Sequence, residues 1–338
     1  MESTNAQTQV YPPEGFVFDT HTNIQNEFIE KITLSGIDNA LTWLGSVKDD
    51  KECSYPQALT FEWEEMPSCE YVFELSESEG FEDSYSCIAS TNSHCVTNLK
   101  VGTKYYWRIN GGKKHSFSTK DNHIRFIKID GALNVRDIGG NRIKQGLVYR
   151  GSDLGYRYRI TDSGKDEFVN NLKIKTEIEL RKEREGDSHS AVGNQVAYKW
   201  LPYRPYKEIF EEEHQRGICK IMEFLSDENN YPVYIHCLGG ADRTGMIALF
   251  LRALVNESDE FIHLDYEMTS LSTYALGAAE GAAATGFRSR NHTYYTEFLD
   301  MLDAYAPGKS LHEKVKQFLY ACDVTAGCIE KIVNIIKK

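Results

Sequence analysis

Residues 232–251 read PVYIHCLGGADRTGMIALFL, and this stretch decides the fold. Val233 to His236 are apolar and β-branched enough for a buried strand, while the run from Thr244 has apolar residues at helical spacing. Between them Cys237 to Arg243 form a bend containing Gly239 and Gly240. Glycines let successive backbone N–H groups turn inward as an anion nest. The helix that follows adds the positive end of its dipole, so an oxyanion is held without a lysine. The expected phosphate-binding residues are therefore Leu238, Gly239, Gly240, Ala241, Asp242, Arg243 and Thr244. Cys237 heads the loop, where the same field favours a thiolate nucleophile. Arg243, six residues on, can return over the loop and grip two phosphoryl oxygens. Thr244 can give a hydroxyl hydrogen bond to the sulfur as it leaves.

Around this segment, strands and helices alternate. HIRFIKI (123–129), KTEIEL (175–180) and PVYIHC (232–237) read as short strands, and 208–225 and 244–255 as helices. That alternation predicts an α/β domain with a mainly parallel sheet flanked by helices. Apolar periodicity over 294–302, 311–320 and 324–336 predicts a helical cap at the C-terminus, with Ser310 and Glu313 as a capping box. Upstream the period changes to two. LTFEW (59–63), YVFEL (71–75), LKVGTKYYWRI (99–109) and HSFSTK (115–120) read as half-buried strands with no helical pattern among them, which predicts a small all-β sandwich. The expected organisation is a sandwich over 1–120 and a catalytic domain over 121–338. On this reading the second part works without the first.

The chain of 338 residues has room for two such domains. Its mean hydropathy of -0.48 argues against a membrane-embedded chain. No stretch approaches the roughly 18 apolar residues of a membrane span. The first 14 residues show no apolar signal core, so the expectation is either an exported chain whose signal has been removed or a cytoplasmic one. Net charge is -12, and through Lys120 there are nine Lys and Arg against eighteen Asp and Glu. An acidic chain without a basic run is not a nucleic-acid binder. Nine acidic residues between Glu62 and Asp83 read as a solvated sheet face. The eight cysteines form no CxxC and the histidines no HxxxH, so neither a metal site nor a cofactor is expected. The early group, Cys53, Cys69, Cys87 and Cys95, permits disulfides without requiring them.

HCxxGxDRTG, as His236 to Gly245 stand, resembles the signature loop of cysteine-dependent protein tyrosine phosphatases. More narrowly it is similar to that of a bacterial family that includes secreted tyrosine and phosphoinositide phosphatases. NVRDIGG (134–140), GLVYRGSDL (146–154), ELRKERE (179–185) and DYEMTS (265–270) resemble further landmarks of that family, in its order. The resemblance runs from about His123 to the C-terminus. It implies hydrolysis of phosphomonoesters, phosphotyrosine on a protein or peptide first, through a phosphocysteine on Cys237 with Arg243 binding the phosphoryl group. The β segment resembles a fibronectin type III or purple-acid-phosphatase-type N-terminal domain, with Tyr105 at the tyrosine corner.

Two departures bear on substrate and acid. The family often has a lysine, linked to phosphoinositide use, where this chain has Ala241. Related phosphatases carry a Pro-Asp acid where this chain reads WLPYRPYKE (200–208), with no aspartate. Asp242 matches the residue proposed as acid in the family, and Asp137 and Asp153 come next. His236 is expected to orient the loop through hydrogen bonds. ALGAAEGAAATG (275–286), followed by Phe287, Arg288 and Arg290, reads as a surface linker or as a lid delivering positive charge. The competing functions are a phosphoinositide or inositol-phosphate phosphatase and a catalytically dead phosphate-binding module. Intact Cys237 and Arg243 speak against the second.

Overall fold

The structure, a computed structural model, describes residues 10–66, 70–184, 188–275 and 286–338. They divide into two units, and the chain visits the first one twice. That unit takes the segment ending at Thr22 together with Pro56–Arg125; the second takes Asn23–Tyr55 and Phe126–Lys338.

Alternation of apolar and polar residues builds the first unit. Its strands are β1 (Phe16–Phe18), β2 (Leu59–Glu62), β3 (Tyr71–Ser76), β4 (Ser84–Ala89), β5 (Ser93–Val96), β6 (Lys104–Ile109) and β7 (His115–Thr119). One sheet runs β1-β7-β6-β3-β4 and the other pairs β2 with β5. Leu59 and Phe61 on β2 turn inward with Phe73, Trp107 and Phe117 of the larger sheet. The Phe61 ring centroid lies 4.9 Å from that of Phe73, 5.3 Å from Trp107 and 5.5 Å from Phe117. Such edge contacts add about 0.5–1.5 kcal/mol each beyond the area they bury. Tyr105 accepts the Lys100 N–H at 2.8 Å, the bond a tyrosine corner makes. The acidic run is partly paired: Glu74 faces Arg108 across β3 and β6 at 2.7 Å, and Glu77 meets Lys100.

Residues 23–55 correct the expected boundary. They form α1 (Asn23–Ser35) and α2 (Ile37–Val47) and belong to the second unit, so that unit does not begin at residue 121. Phe28, Ile37, Ala40 and Leu44 are buried along one side of this hairpin. Gly36, at φ +81, turns the chain between the two helices where a side chain would be strained.

The rest of the second unit is built around β8 (Arg125–Phe126), β9 (Arg136–Asp137), β10 (Val148–Gly151), β11 (Thr176–Glu179), β12 (Ala197–Trp200) and β13 (Val233–His236). The sheet order is β12-β11-β13-β10-β9-β8, parallel from β12 to β10, with β9 antiparallel to β10. The strand expected over 123–129 is only the two-residue β8. The helices are α3 (Asp162–Asp166), α4 (Glu212–Leu225), α5 (Asp242–Leu254), α6 (Asp259–Glu267), α7 (Thr293–Asp303), α8 (Leu311–Ala321) and α9 (Ala326–Ile336). Ser310 caps α8 by accepting the Glu313 N–H at 3.3 Å. On β13, Val233 and Ile235 join the core made with α4, α5 and α7 to α9, while Tyr234 joins a second core with Ile127, Phe168 and Val196. Cover on both faces is what a central parallel strand requires. The described cysteines, Cys53, Cys87, Cys95, Cys219, Cys237, Cys322 and Cys328, are unbridged. Cys69 lies outside the described residues.

Candidate active site

Three parallel strands end level, and this creates the site. Gly151 of β10 and Glu179 of β11 both lie abreast of His236 on β13. The chain therefore leaves the sheet at one edge as Ser152-Asp153, Leu180-Arg181 and Cys237. That is the edge at which open α/β sheets bind ligands.

From Cys237, which is 4% exposed, the chain bends through Leu238 to Ala241 into α5. Each carbonyl of the bend is held from outside. Leu238 O accepts the Asp153 N–H at 3.0 Å and Ala241 O the Gly245 N–H at 2.9 Å. Gly239 O accepts Asn134 Nδ2 at 2.9 Å and Gly240 O accepts Arg150 Nη2 at 2.6 Å. Because N–H and C=O oppose each other across a trans peptide, the next amides, from Gly239 to Asp242, point the other way, into the loop. Gly240 sits at φ +65, and a Cβ there would run into the backbone of Gly151; one at Gly239 would enter the Tyr274 ring.

Arg150 is itself anchored. Its Nη1 is bonded to Asp265 Oδ2, and Arg136 and Arg252 reach the other oxygen at 3.4 and 3.5 Å. Burial alone would raise the Asp265 pKa, but the three guanidinium groups hold it far below the usual carboxylate range. Arg136, fully buried and close to Arg150, is pushed down to about 9.

All four residues of β11 are buried, although two are glutamates. His236 Nε2 donates to Glu177 Oε1 at 2.9 Å, and Nδ1 lies 3.9 Å from Glu179 Oε2. Burial opposes the imidazolium, but Glu179 and Glu177 outweigh it and raise His236 to about 9. Arg181 donates through Nε and Nη2 to Glu179 at 2.9 and 2.6 Å; its Nη1 is buried without a partner among the described residues.

The residues named from the sequence separate by role. Arg243 donates to Glu183 at 3.1 and 3.2 Å, which leaves three of its five N–H groups for a phosphoryl group. The Thr244 hydroxyl is buried without a partner among the described residues, available to the sulfur. Asp242 receives Arg288 bidentately at 2.8 and 3.1 Å and also the Tyr206 hydroxyl. Burial favours its neutral form, but Arg288 and Tyr206 prevail and lower its pKa, so this carboxyl is committed as an anion. Asp137 accepts the Gly139 and Gly146 N–H groups at 2.7 and 2.6 Å and fixes a turn. Asp153 differs: Oδ1 accepts Tyr156 N–H at 2.7 Å, Oδ2 is buried without a partner among the described residues, and burial raises its pKa. Arg290 is paired with Glu267 at 2.7 Å. Of the expected linker or lid over 275–286, residues 276–285 lie outside the described residues.

Sequence reasoning missed Glu183, Glu177, Glu179, Arg181 and Tyr274. Glutamates on an alternating strand read as its solvated side, and only the depth of β11 shows otherwise. A cavity of about 290 Å³ lies beside Arg243, lined by Lys182, Glu183, Arg204, Pro205 and Glu208. Among the described residues no group of three or more His, Cys, Asp or Glu gathers to hold a metal, and no helix is long and apolar enough to cross a membrane.

A family model described as the tyrosine phosphatase family matches residues 127–334. Among solved structures, the chain is similar to the core catalytic domain of the PP-IP phosphatase SIW14 from S. cerevisiae in complex with citrate. The identity is 19%, over 42% of this chain and 80% of that one, with a TM-score of 0.31. It is also similar to TpbA of P. aeruginosa at 17% identity, over 56% of this chain and 91% of that one, again with a TM-score of 0.31.

Two outcomes follow from the geometry. Gly240→Ala should leave a folded protein by circular dichroism whose phosphate affinity and turnover fall about 10²-fold, because the bend has to shift. Wild-type turnover would mean that the contact with Gly151 does not shape the loop. His236 has its pKa raised from 6.5 to about 9, so the proton's contribution to stability is complete below pH 6.5 and is lost as pH climbs through about 9. The difference in melting temperature between wild type and His236→Asn should therefore shrink from pH 7 to pH 10 in thermal melts.

Proposed function

The chain belongs to the tyrosine phosphatase family, and on that premise we propose that it hydrolyses phosphomonoesters, phosphotyrosine first among them, through a phosphocysteine on Cys237. The single observation that carries this reading is the loop itself: a buried cysteine at the end of a parallel strand, amides turned inward, and Arg243 at the start of α5. The Cys237 thiolate attacks phosphorus while Arg243 and the loop amides take up charge on the equatorial oxygens. As the S–P bond forms, the P–O ester bond breaks and an acid protonates the leaving oxygen. A water then attacks phosphorus, the acid's conjugate base takes its proton, and the S–P bond breaks to release inorganic phosphate and restore the thiolate. The Thr244 hydroxyl supports that thiolate as it leaves.

We assign the acid to Asp153 rather than Asp242. A general acid has to carry its proton near neutral pH. Asp242 is held charged by Arg288, whereas Asp153 adjoins the loop through Leu238 and has one oxygen buried and unbonded among the described residues. Ala241, in place of a cationic residue, supports an aryl phosphate over a polyphosphorylated substrate. A second reading, an inositol phosphate or phosphoinositide, has an observation of its own in Lys182 and Arg204. These share the cavity beside Arg243 and would meet a further phosphate. A panel of phosphotyrosine peptide, phosphoserine peptide and inositol phosphates decides between them.

Cys237→Ser should abolish turnover while inorganic phosphate still binds, and mass spectrometry of acid-quenched wild type should find phosphate on the Cys237 peptide. Retained turnover in the serine variant would end the phosphocysteine reading. Asp153→Asn should slow phosphotyrosine hydrolysis roughly 10²- to 10⁴-fold and an aryl phosphate with an acidic leaving group far less. Equal losses on both substrates, or the same pattern from Asp242→Asn instead, would move the acid elsewhere.

A further inference from the structure

The hairpin over residues 23–55 lies outside the 127–334 span matched by the family, yet it belongs to the same unit as the phosphate loop. It makes hydrogen bonds to two stretches of chain that touch that loop. Lys48, 1% exposed at the end of α2, donates through Nζ to Ser270 O at 2.7 Å and Ser272 O at 2.5 Å. Glu52 Oε2 accepts three bonds from the same stretch: Ser272 Oγ at 3.0 Å, Thr273 N–H at 2.8 Å and Thr273 Oγ1 at 2.8 Å. Its other oxygen accepts the Ser54 N–H at 2.9 Å, and the Cys53 N–H donates to Leu271 O at 3.1 Å. On the second stretch, Asn291 Nδ2 donates to Asp38 Oδ2 at 3.0 Å, and the Lys48 ammonium stands 5.8 Å from the Phe287 ring centre.

Both stretches end on the loop. Tyr274 follows Thr273 directly, and its ring covers Gly239 so closely that no side chain fits between them. Arg288 holds Asp242. Burying an ammonium is costly unless its donors are used, and the half-buried Glu52 carboxylate beside it is held by hydrogen bonds as well. Lys48 spends two of its N–H groups on the Ser270 and Ser272 carbonyls, and Glu52 divides its oxygens between Ser272–Thr273 and Ser54. Burial lowers Lys48 to about 8, the cost such placement carries. An apolar pair in their place would not fix those backbone groups.

We propose that the Asn23–Tyr55 hairpin is a positioning element of the phosphate site, in which Lys48 and Glu52 fix Ser270–Thr273 and thereby seat the Tyr274 ring on Gly239. It rests on reading the Cys237 loop as the site where phosphate binds. Lys48 and Glu52 touch no substrate; Tyr274 walls the loop at the residue whose carbonyl Asn134 holds from behind.

The full-length chain tests this with Glu52→Gln, Thr273→Val, Tyr274→Phe, Tyr274→Ala and the Glu52→Gln/Tyr274→Ala double variant. An amide at position 52 sets a donor against the donors of Thr273 or Ser54. Inorganic phosphate affinity is read by calorimetry, KM and kcat on an aryl phosphate, and folding by thermal melts. Glu52→Gln should weaken phosphate about tenfold, the value of one hydrogen bond to a charged acceptor, and raise KM more than it lowers kcat. Tyr274→Ala should do the same, Tyr274→Phe should keep wild-type affinity, and the double variant should be no worse than Tyr274→Ala. Thr273→Val removes one hydroxyl and should shift affinity the same way by a smaller factor, which settles the matter if Glu52→Gln does not fold. Unchanged phosphate affinity in a folded Glu52→Gln or Thr273→Val chain, or losses that multiply in the double variant, would overturn the proposal. If the wild type turns over no phosphomonoester, the proposed function fails while phosphate affinity still judges the hairpin. If it binds no phosphate, both fail.

Discussion

To turn successive N–H groups toward one anion, a loop must turn the matching carbonyls the opposite way, into protein. Unpaired, each such carbonyl would cost about 1–3 kcal/mol. The donors that satisfy them come from far apart in the chain: the backbone of Asp153, the amide of Asn134, the guanidinium of Arg150 and the first turn of α5. This requirement organises much of the second unit. Asn134 is brought in beside β9, Arg150 and Asp153 come at the end of β10, and α6 supplies Asp265 to hold Arg150.

The charges follow from the same need. Asp265 serves Arg136, Arg150 and Arg252, and Glu257 lies 3.9 Å from Arg252, so three buried cations answer two buried anions behind the loop. A surplus of positive charge in a low-dielectric region favours an anion at the loop while the chain as a whole stays acidic. On the β11 side the balance is even: Glu177 and Glu179 against His236 and Arg181. There the gain is orientation, because His236, next to Cys237, is fixed at both ring nitrogens.

Ionisation of the two neighbouring aspartates illustrates how little a motif says about protons. Asp242 stands inside the signature, and Asp153 in a less distinctive stretch. Arg288, 46 residues beyond Asp242, decides that Asp242 stays charged. The turn after β10 directs the Tyr156 and Arg157 N–H groups to Asp153 Oδ1, and Oδ2 has no partner among the described residues.

The stretch from Val233 to Leu251 by itself determined a strand, a glycine bend and a helix, because apolar period and glycine freedom are local properties. The sandwich strands at 59–62, 71–76, 104–109 and 115–119 and the helices after Thr293 were legible for the same reason. On sequence the hairpin falls within the sandwich expected over 1–120, although Phe28, Ile32, Ile37, Ala40 and Leu44 recur at helical spacing on either side of Gly36. What no local pattern carries is that these helices, flanked in sequence by strands of the first unit, join the second. Membership is set by which buried surfaces and backbone groups they complete, here Ser270 to Thr273. The buried side of β11, the Asp265 cluster and the Tyr274 ring on Gly239 were likewise decided by tertiary structure. Burial, charge pairing and carbonyl satisfaction depend on residues tens to hundreds of positions apart.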